Sequence, residues 1–297
     1  MEKKKSNLIT RRQAIVSLAT ITAGTLISPR TILASEPARA KTRFVVLGDW
    51  GTGNSDCFGL ARQMFDTHQK TPIEFVLAAG DNIYPNGSSR YFAKNFEQPF
   101  ASLIKDEVKF YATLGNHDVE SGRQDQIHYP LFNMGGSHYY MISRGNGLVD
   151  FFMLDTTDFD DTQTSWLENN LRSSKALWKI AVFHHPIYSS GKKHGSDLRM
   201  RKRLEPLFTR YGVQVAFSGH DHIYERTKLQ NGIQYFVTGA GGQTRRGGID
   251  LKSPIRAASY DEDNHYMVIE VDEVEIGFKA ISEKGDTIDS GIIKQAT

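Results

Sequence analysis

The chain has 297 residues, of which 39% are hydrophobic and 24% charged, with 36 Lys+Arg against 34 Asp+Glu. That balance gives no electrostatic reason to expect nucleic-acid binding, and the lone Cys57 excludes an internal disulfide framework. The length suffices for a full core, and no Pro- or Ser-rich linker, repeat or low-complexity tract divides it.

The first forty residues differ in kind from the rest. Lys3, Lys4 and Lys5, then Thr10-Arg11-Arg12-Gln13, precede an uncharged stretch from Ala14 to Ser28, and Ala38-Arg39-Ala40 follows. This is the layout of an export signal, and the paired arginines give it the form of a twin-arginine signal. The stretch is shorter than the roughly 20 apolar residues a membrane span requires. Cleavage is expected after Ala40, or failing that after Ala34, giving a periplasmic or extracellular protein with no stable membrane span. Loss of residues 1–40 removes seven basic and two acidic side chains, leaving 29 Lys+Arg against 32 Asp+Glu and a net charge of −3. The basic character of the whole chain thus belongs partly to its leader. Residues 41–297 are expected to form one domain and a monomer.

Short runs rich in Val, Ile, Phe and Leu follow in order: Thr42–Gly48, Ile73–Gly80, Glu107–Gly115, Val149–Asp155, Trp178–His184 and Gly212–Gly219. Most end in Gly or Asp, as strands buried on both faces do. Segments with looser helical spacing lie between several of them: Phe58–Thr67, Thr164–Ser173, and Asp197–Tyr211 with Pro206 as a flaw. Beyond Gly232 the chain turns β-rich, with Gln234–Thr238, His265–Val271 and Val274–Ile281. The alternation predicts an α/β fold with loops at the carboxyl ends of strands carrying the chemistry, and two sheets packed face to face. Cys57 reads as a small apolar residue.

Five strand-end segments gather metal-ligand types: Gly48-Asp49-Trp50-Gly51, Gly80-Asp81-Asn82-Ile83-Tyr84, Gly115-Asn116-His117-Asp118, His184-His185-Pro186 and Gly219-His220-Asp221-His222. Each Gly-Asp alone would be an ordinary turn. Two histidines at i and i+2 project to one side of an extended segment, and in a bent loop they can address two ions. Together the five read as a two-metal phosphoesterase. Asp158, Asp160 and Asp161 read as a solvated helix start, and Gly239–Gly242 with Arg245 and Arg246 as a glycine-rich turn, with a border of the substrate as the alternative. His68, His128, His138 and His265 have no motif around them and are left out of the site.

This ordered set resembles the calcineurin-like metallophosphoesterase superfamily and, within it, the short, mammalian tartrate-resistant type of purple acid phosphatase. The family pattern is Gly-Asp-x-Gly, Gly-Asp-x-x-Tyr, Gly-Asn-His-Asp/Glu, Val-x-x-His and Gly-His-x-His. The chain departs from it only at Ala181, a buried strand position where the change alters packing rather than ligation. Phe151–Thr156 and Ser165-Trp166-Leu167 carry further similarity. The resemblance implies a four-layer α-β-β-α sandwich of two mixed β-sheets flanked by helices. Most of the wider superfamily carries a histidine where this chain has Gly51, and Tyr84 is the implied replacement, its phenolate matching ferric iron.

By the same resemblance, Asp49, Tyr84 and His222 bind Fe(III), while Asn116, His184 and His220 bind a second divalent metal (Fe, Zn or Mn). Asp81 bridges the two. His184 is preferred to His185 because the family's ligand stands two residues before the proline. His117 and His194 are the implied catalytic histidines at substrate and leaving group. The implied activity is hydrolysis of small-molecule phosphomonoesters by attack of a metal-bound hydroxide, with an acidic pH optimum. A phosphodiesterase or nucleotide-cleaving enzyme on the same scaffold is the alternative, and a non-catalytic metal or phosphate binder the third reading. Only nine residues separate Thr156 from Trp166, fewer than the mammalian-type enzymes carry there, so activity without proteolytic processing is expected.

Overall fold

The computed structural model describes residues 40–295; the expected export signal thus lies, Ala40 apart, outside the described residues. Elements β1 (Thr42–Leu47), α1 (Ser55–Lys70), β2 (Phe75–Ala78), α2 (Ala101–Lys105) and β3 (Lys109–Ala112) open the chain. Then come α3 (Asn116–Ser121), α4 (Arg123–His128), β4 (Tyr140–Arg144), β5 (Val149–Met153), α5 (Asp161–Ser173), β6 (Trp178–Val182) and α6 (Leu198–Tyr211). Strands β7 (Val215–Ser218), β8 (Tyr224–Thr227), β9 (Gln234–Thr238), β10 (Arg256–Tyr260), β11 (His265–Val271), β12 (Glu275–Ser282) and β13 (Thr287–Lys294) complete it.

Two mixed sheets result, one of six strands in the order β13-β12-β11-β1-β2-β3 and one of seven in the order β10-β8-β9-β7-β6-β5-β4. Strands β1, β2 and β3 run parallel, as do β5, β6, β7 and β9, while antiparallel strands complete each sheet. The side-chain alternation explains the layering. Phe44 and Val46 of β1 and Phe75 and Leu77 of β2 meet Phe151, Ile180 and Phe217 of the other sheet in one buried cluster. The Phe44 ring stacks on Phe75 at 5.1 Å and meets Phe151 edge-on at 5.0 Å.

The opposite faces are equally apolar. Val45, Leu47 and Val76 pack with Leu60 and Met64 of α1, while Phe152, Ala181 and Ala216 pack with Leu167 of α5 and Leu204 and Phe208 of α6. Each Val, Leu, Met or Phe so buried contributes about 1.5–3 kcal/mol. Strands covered on both faces must read as unbroken apolar runs, and helices must cover both outer faces, which yields four layers α-β-β-α. Ala181 is the helix-facing residue of β6, so its small side chain affects packing with α5 and α6 and not the strand end.

Helix α1 starts at Asn54, whose side chain accepts the Cys57 N–H at 2.9 Å. Cys57 is fully buried on its inner face, and burial pushes its thiol up to about 11. Helix α6 begins beside its cap Asp197, runs on through Pro206, and ends at Gly212, whose φ of 70° takes the left-handed conformation a glycine allows. Because β1, β2 and β3, and likewise β6 and β7, are parallel, the loops that follow them emerge at the carboxyl ends. Backbone bonds sew these loops together: Asp49 N–H donates to Gly80 O at 3.0 Å, and Gly219 N–H to His184 O at 3.0 Å.

Candidate metal centre

Three of the candidate ligands sit in the left-handed region of backbone space, Asp49 at φ 56°, Asp81 at φ 50° and His220 at φ 69°. Such conformations cost of order 1 kcal/mol or more for non-glycine residues and cluster where function requires a side chain to be aimed. The glycine before Asp81 is required by space as well, since a Cβ on Gly80 would lie 2.6 Å from His184 Nδ1.

The seven residues converge in two overlapping sets. Tyr84 Oη lies 3.2 Å from Asp49 Oδ1, 3.0 Å from Asp81 Oδ2 and 3.4 Å from His222 Nε2, and His222 Nε2 lies 3.3 Å from Asp49 Oδ1. His184 Nε2 lies 3.1 Å from Asn116 Oδ1, 3.2 Å from His220 Nδ1 and 3.5 Å from Asp81 Oδ2. Asp81 Oδ2 therefore belongs to both. Ligands at about 2.0–2.2 Å from one ion, at tetrahedral or octahedral angles, stand about 3.0–3.5 Å apart. The donor atoms fit two cations sharing Asp81.

Each carboxylate has one oxygen anchored and the other turned to the cluster. The backbone N–H of His220 donates to Asp49 Oδ2 at 2.7 Å, and that of His117 to Asp81 Oδ1 at 2.9 Å. His184 Nδ1 donates to Ala79 O at 2.9 Å, which leaves Nε2 with its lone pair toward Asn116 and His220. Burial, with Asp81 beside it, holds the Asp49 carboxyl well above its usual range, and burial raises Asp81 too. Tyr84 is raised by burial and then by Asp49 and Asp81. Burial drives His184 and His220 down, and burial followed by the charge of Arg245 takes His222 to about 4. Buried carboxylates and neutral imidazoles form a set that lacks positive charge, and bound cations supply it and invert these shifts.

Asp118, read in the sequence only as the last letter of its motif, stitches the loops. It accepts from Asn82 N at 3.0 Å, Ile83 N at 3.0 Å, Gly115 N at 2.9 Å and Gln126 Nε2 at 2.8 Å. Burial, then the nearby Asp81, pushes its carboxyl up to about 7. Both candidate catalytic histidines border the cluster. His117 packs against Tyr84 with ring centres 4.7 Å apart and its Nδ1 donates to Pro85 O at 2.6 Å. His194 lies over His220 at 3.9 Å, and its backbone N–H and that of Gly195 point to Asp221 at 3.3 and 3.0 Å. His185, the runner-up for ligation, makes no contact with Asn116 or Asp81 of the kind His184 makes; its Nδ1 meets Thr156 Oγ1 at 2.9 Å and its ring stands 4.6 Å from that of His220.

Two features add to the sequence reading. His138, set aside for want of a motif, meets buried Asp155 Oδ2 at 2.8 Å, as does Arg123 Nη1 at 2.7 Å, directly before Thr156 in the chain. The glycine segment read as a turn lies against the centre: a Cβ on Gly239 would be 2.9 Å from Asp49 Oδ2, and Arg245 N–H donates to His222 O at 3.0 Å. Its signal was present as two arginines after four small residues, but nothing local says which loop such a segment meets.

Comparison with known proteins agrees with this geometry. Residues 42–224 match the family model of calcineurin-like phosphoesterases. Purple acid phosphatase 17 of Arabidopsis thaliana is 32% identical over 248 residues, covering 72% of this chain and 73% of that protein. Tartrate-resistant acid phosphatase type 5 of Mus musculus is 32% identical over 236 residues, covering 67% and 72%. Among solved structures, the purple acid phosphatase PPD1 of yellow lupin superposes with a TM-score of 0.72 at 20% identity over 86% of this chain and 54% of that one. GAP50 of Plasmodium does so at 0.76 and 21% over 87% and 90%. The two structures speak for the four-layer fold alone, while the family model and the sequence relatives establish membership: the chain belongs to the calcineurin-like phosphoesterases and, among them, to the purple acid phosphatases, dinuclear-metal hydrolases of phosphomonoesters.

Proposed function

We propose that this protein is an exported acid phosphatase acting on small-molecule phosphomonoesters. Asp49, Tyr84 and His222 hold ferric iron, Asn116, His184 and His220 hold a divalent ion (Fe, Zn or Mn), and Asp81 is shared. The observation that carries the assignment is the position of Tyr84 Oη, within hydrogen-bond distance of both aspartates and next to His222. A hard anionic phenolate suits a trivalent ion. Such a pair of ions, when bound, supplies charge for the phosphoryl oxygens and acidifies water enough for in-line attack below neutral pH.

The rest is done by the chain. The backbone N–H groups of His117 and His220 hold the two carboxylates in place. His117 Nδ1 is engaged by Pro85 O, so Nε2 is the atom left to present a proton to the leaving alkoxide. His194, held over His220 by the Asp221 contacts of its loop, is the second group at the leaving side. Export follows from the arginine-paired leader.

The test is the visible spectrum of metal-loaded protein spanning residues 41–297, with activity on para-nitrophenyl phosphate and on its bis ester across pH. A tyrosinate-to-iron band that Tyr84→Phe abolishes, and a monoester activity peaking in acid, are expected. A colourless oxidised protein, or colour that survives Tyr84→Phe, refutes the ligand assignment. Preference for the bis ester would make the enzyme a phosphodiesterase.

A further inference from the structure

Arg245 stands out in the rim of the metal centre. Its backbone N–H is tied to His222 O at 3.0 Å and its carbonyl accepts Gly248 N–H at 3.0 Å, so it opens a turn fixed to a candidate ligand. That turn is clipped to the loop carrying His194: Lys192 N–H donates to Gly248 O at 2.8 Å, Asp250 N–H to Ser190 O at 2.8 Å, and Gly191 bridges Ile249. Arg245 Nη1 is buried and, among the described residues, has no hydrogen-bond partner. No acidic side chain among them forms an ion pair with it, whereas the neighbouring Arg246 turns outward to Glu262 and Asp263, both at 3.8 Å. The Lys192 ammonium is likewise engaged, by Gly247 O at 2.9 Å. Asp221, the buried carboxylate on this side, takes Ser189 Oγ and the His194 and Gly195 N–H groups instead.

A buried guanidinium N–H without an acceptor, on a turn tied to His222 and clipped to the loop of His194, is a donor waiting for an anion. A phosphomonoester brings three non-bridging oxygens and, across its second ionisation near about pH 6, one to two negative charges, whereas a diester brings two such oxygens and one charge. The planar fork of arginine matches phosphate oxygens pairwise.

We propose that Arg245 is a substrate-binding residue that grips a non-bridging oxygen available only in monoesters, and so makes this centre select phosphomonoesters over phosphodiesters. The assignment deepens, and rests on, the phosphatase reading above. It is tested with the metal-loaded protein and its Arg245→Gln and Arg245→Lys variants. The measurements are kinetics on para-nitrophenyl phosphate and its bis ester, calorimetric binding of inorganic phosphate, and metal content. For Arg245→Gln the monoester kcat/KM is expected to fall about 100-fold, mainly in KM. The bis-ester value should change little, phosphate should bind more weakly, metal content should be unaltered, and Arg245→Lys should recover part of the loss. Equal losses on both esters, unchanged phosphate affinity, or loss of metal from the glutamine variant would overturn the assignment. A wild-type enzyme that prefers the bis ester refutes the underlying phosphatase reading instead, and that result is read without any variant.

Discussion

Asp118 has no place in either donor set, yet two of the loops that carry those donors depend on it. Its carboxyl accepts backbone N–H groups of Asn82 and Ile83 from the loop after β2 and of Gly115 from the loop after β3, with Gln126 of α4 behind it. An asparagine in its place offers one acceptor oxygen and turns an NH₂ group toward some of those donors, leaving buried N–H groups unpaired at about 1–3 kcal/mol each. Asp118→Asn is therefore expected to lower the melting temperature and to weaken metal binding by roughly 10–100-fold, as changes behind metal ligands do. Thermal unfolding and metal titration measure the two effects; unchanged affinity for both ions would show that Asp118 does not aim the ligands. The residue scale also holds the clearest case of what a motif omits. His138 and Arg123 converge on Asp155 from separate elements, and no spacing announces that meeting.

At the scale of elements, the connection from β5 to α5 is short and internally braced. Asp155 N–H donates to Gln163 Oε1 at 2.9 Å, Thr157 N–H returns to Asp155 Oδ1 at 2.8 Å, and Asp160 accepts Gln163 N–H at 2.7 Å to start α5. No Lys or Arg lies between Arg144 and Arg172, so this connection offers trypsin no cleavage site. The intact protein is expected to have full activity, and limited treatment with chymotrypsin, for which the connection offers Phe159, should leave kcat/KM unchanged; a severalfold rise on nicking would show that a covering segment has to be cut. Strands buried on both faces were the legible elements. The expected run Thr42–Gly48 contains β1, and the expected bounds Gln234–Thr238 and His265–Val271 coincide with β9 and β11. Strands β8, β10 and β13 carried no such signal because they lie toward sheet edges, half exposed or charged. Arg226 of β8 and Asp289 of β13 pair at 2.7 Å across the two sheets, a contact with no counterpart in local pattern.

For the whole molecule, acid stability turns on a buried group outside the donor sets. His265 is fully buried in β11, with Nε2 3.1 Å from Thr238 Oγ1 and Nδ1 without a partner among the described residues. Burial takes it from 6.5 down to about 3. Between those values the unfolded chain binds a proton that the folded protein refuses, so stability is present above pH 6.5 and is lost as pH falls through the window. At about 1.4 kcal/mol per unit, the loss from pH 6.5 to 4 is roughly 3 kcal/mol. The melting temperature of the wild type is expected to fall more steeply with acid than that of His265→Gln, and parallel curves for the two would remove His265 as the cause. The sequence by itself determined the kinds of donor, the glycines that let them turn, and the apolar runs that deliver them, because backbone propensity and burial on both strand faces are written locally. Only the tertiary structure decided that His220 N–H reaches Asp49, 171 positions away, that Tyr84 falls between two aspartates, and that Arg245 comes to rest beside His222. Those meetings depend on how two sheets pack and which loops their parallel strands bring to one edge, and no segment of the chain carries that information alone.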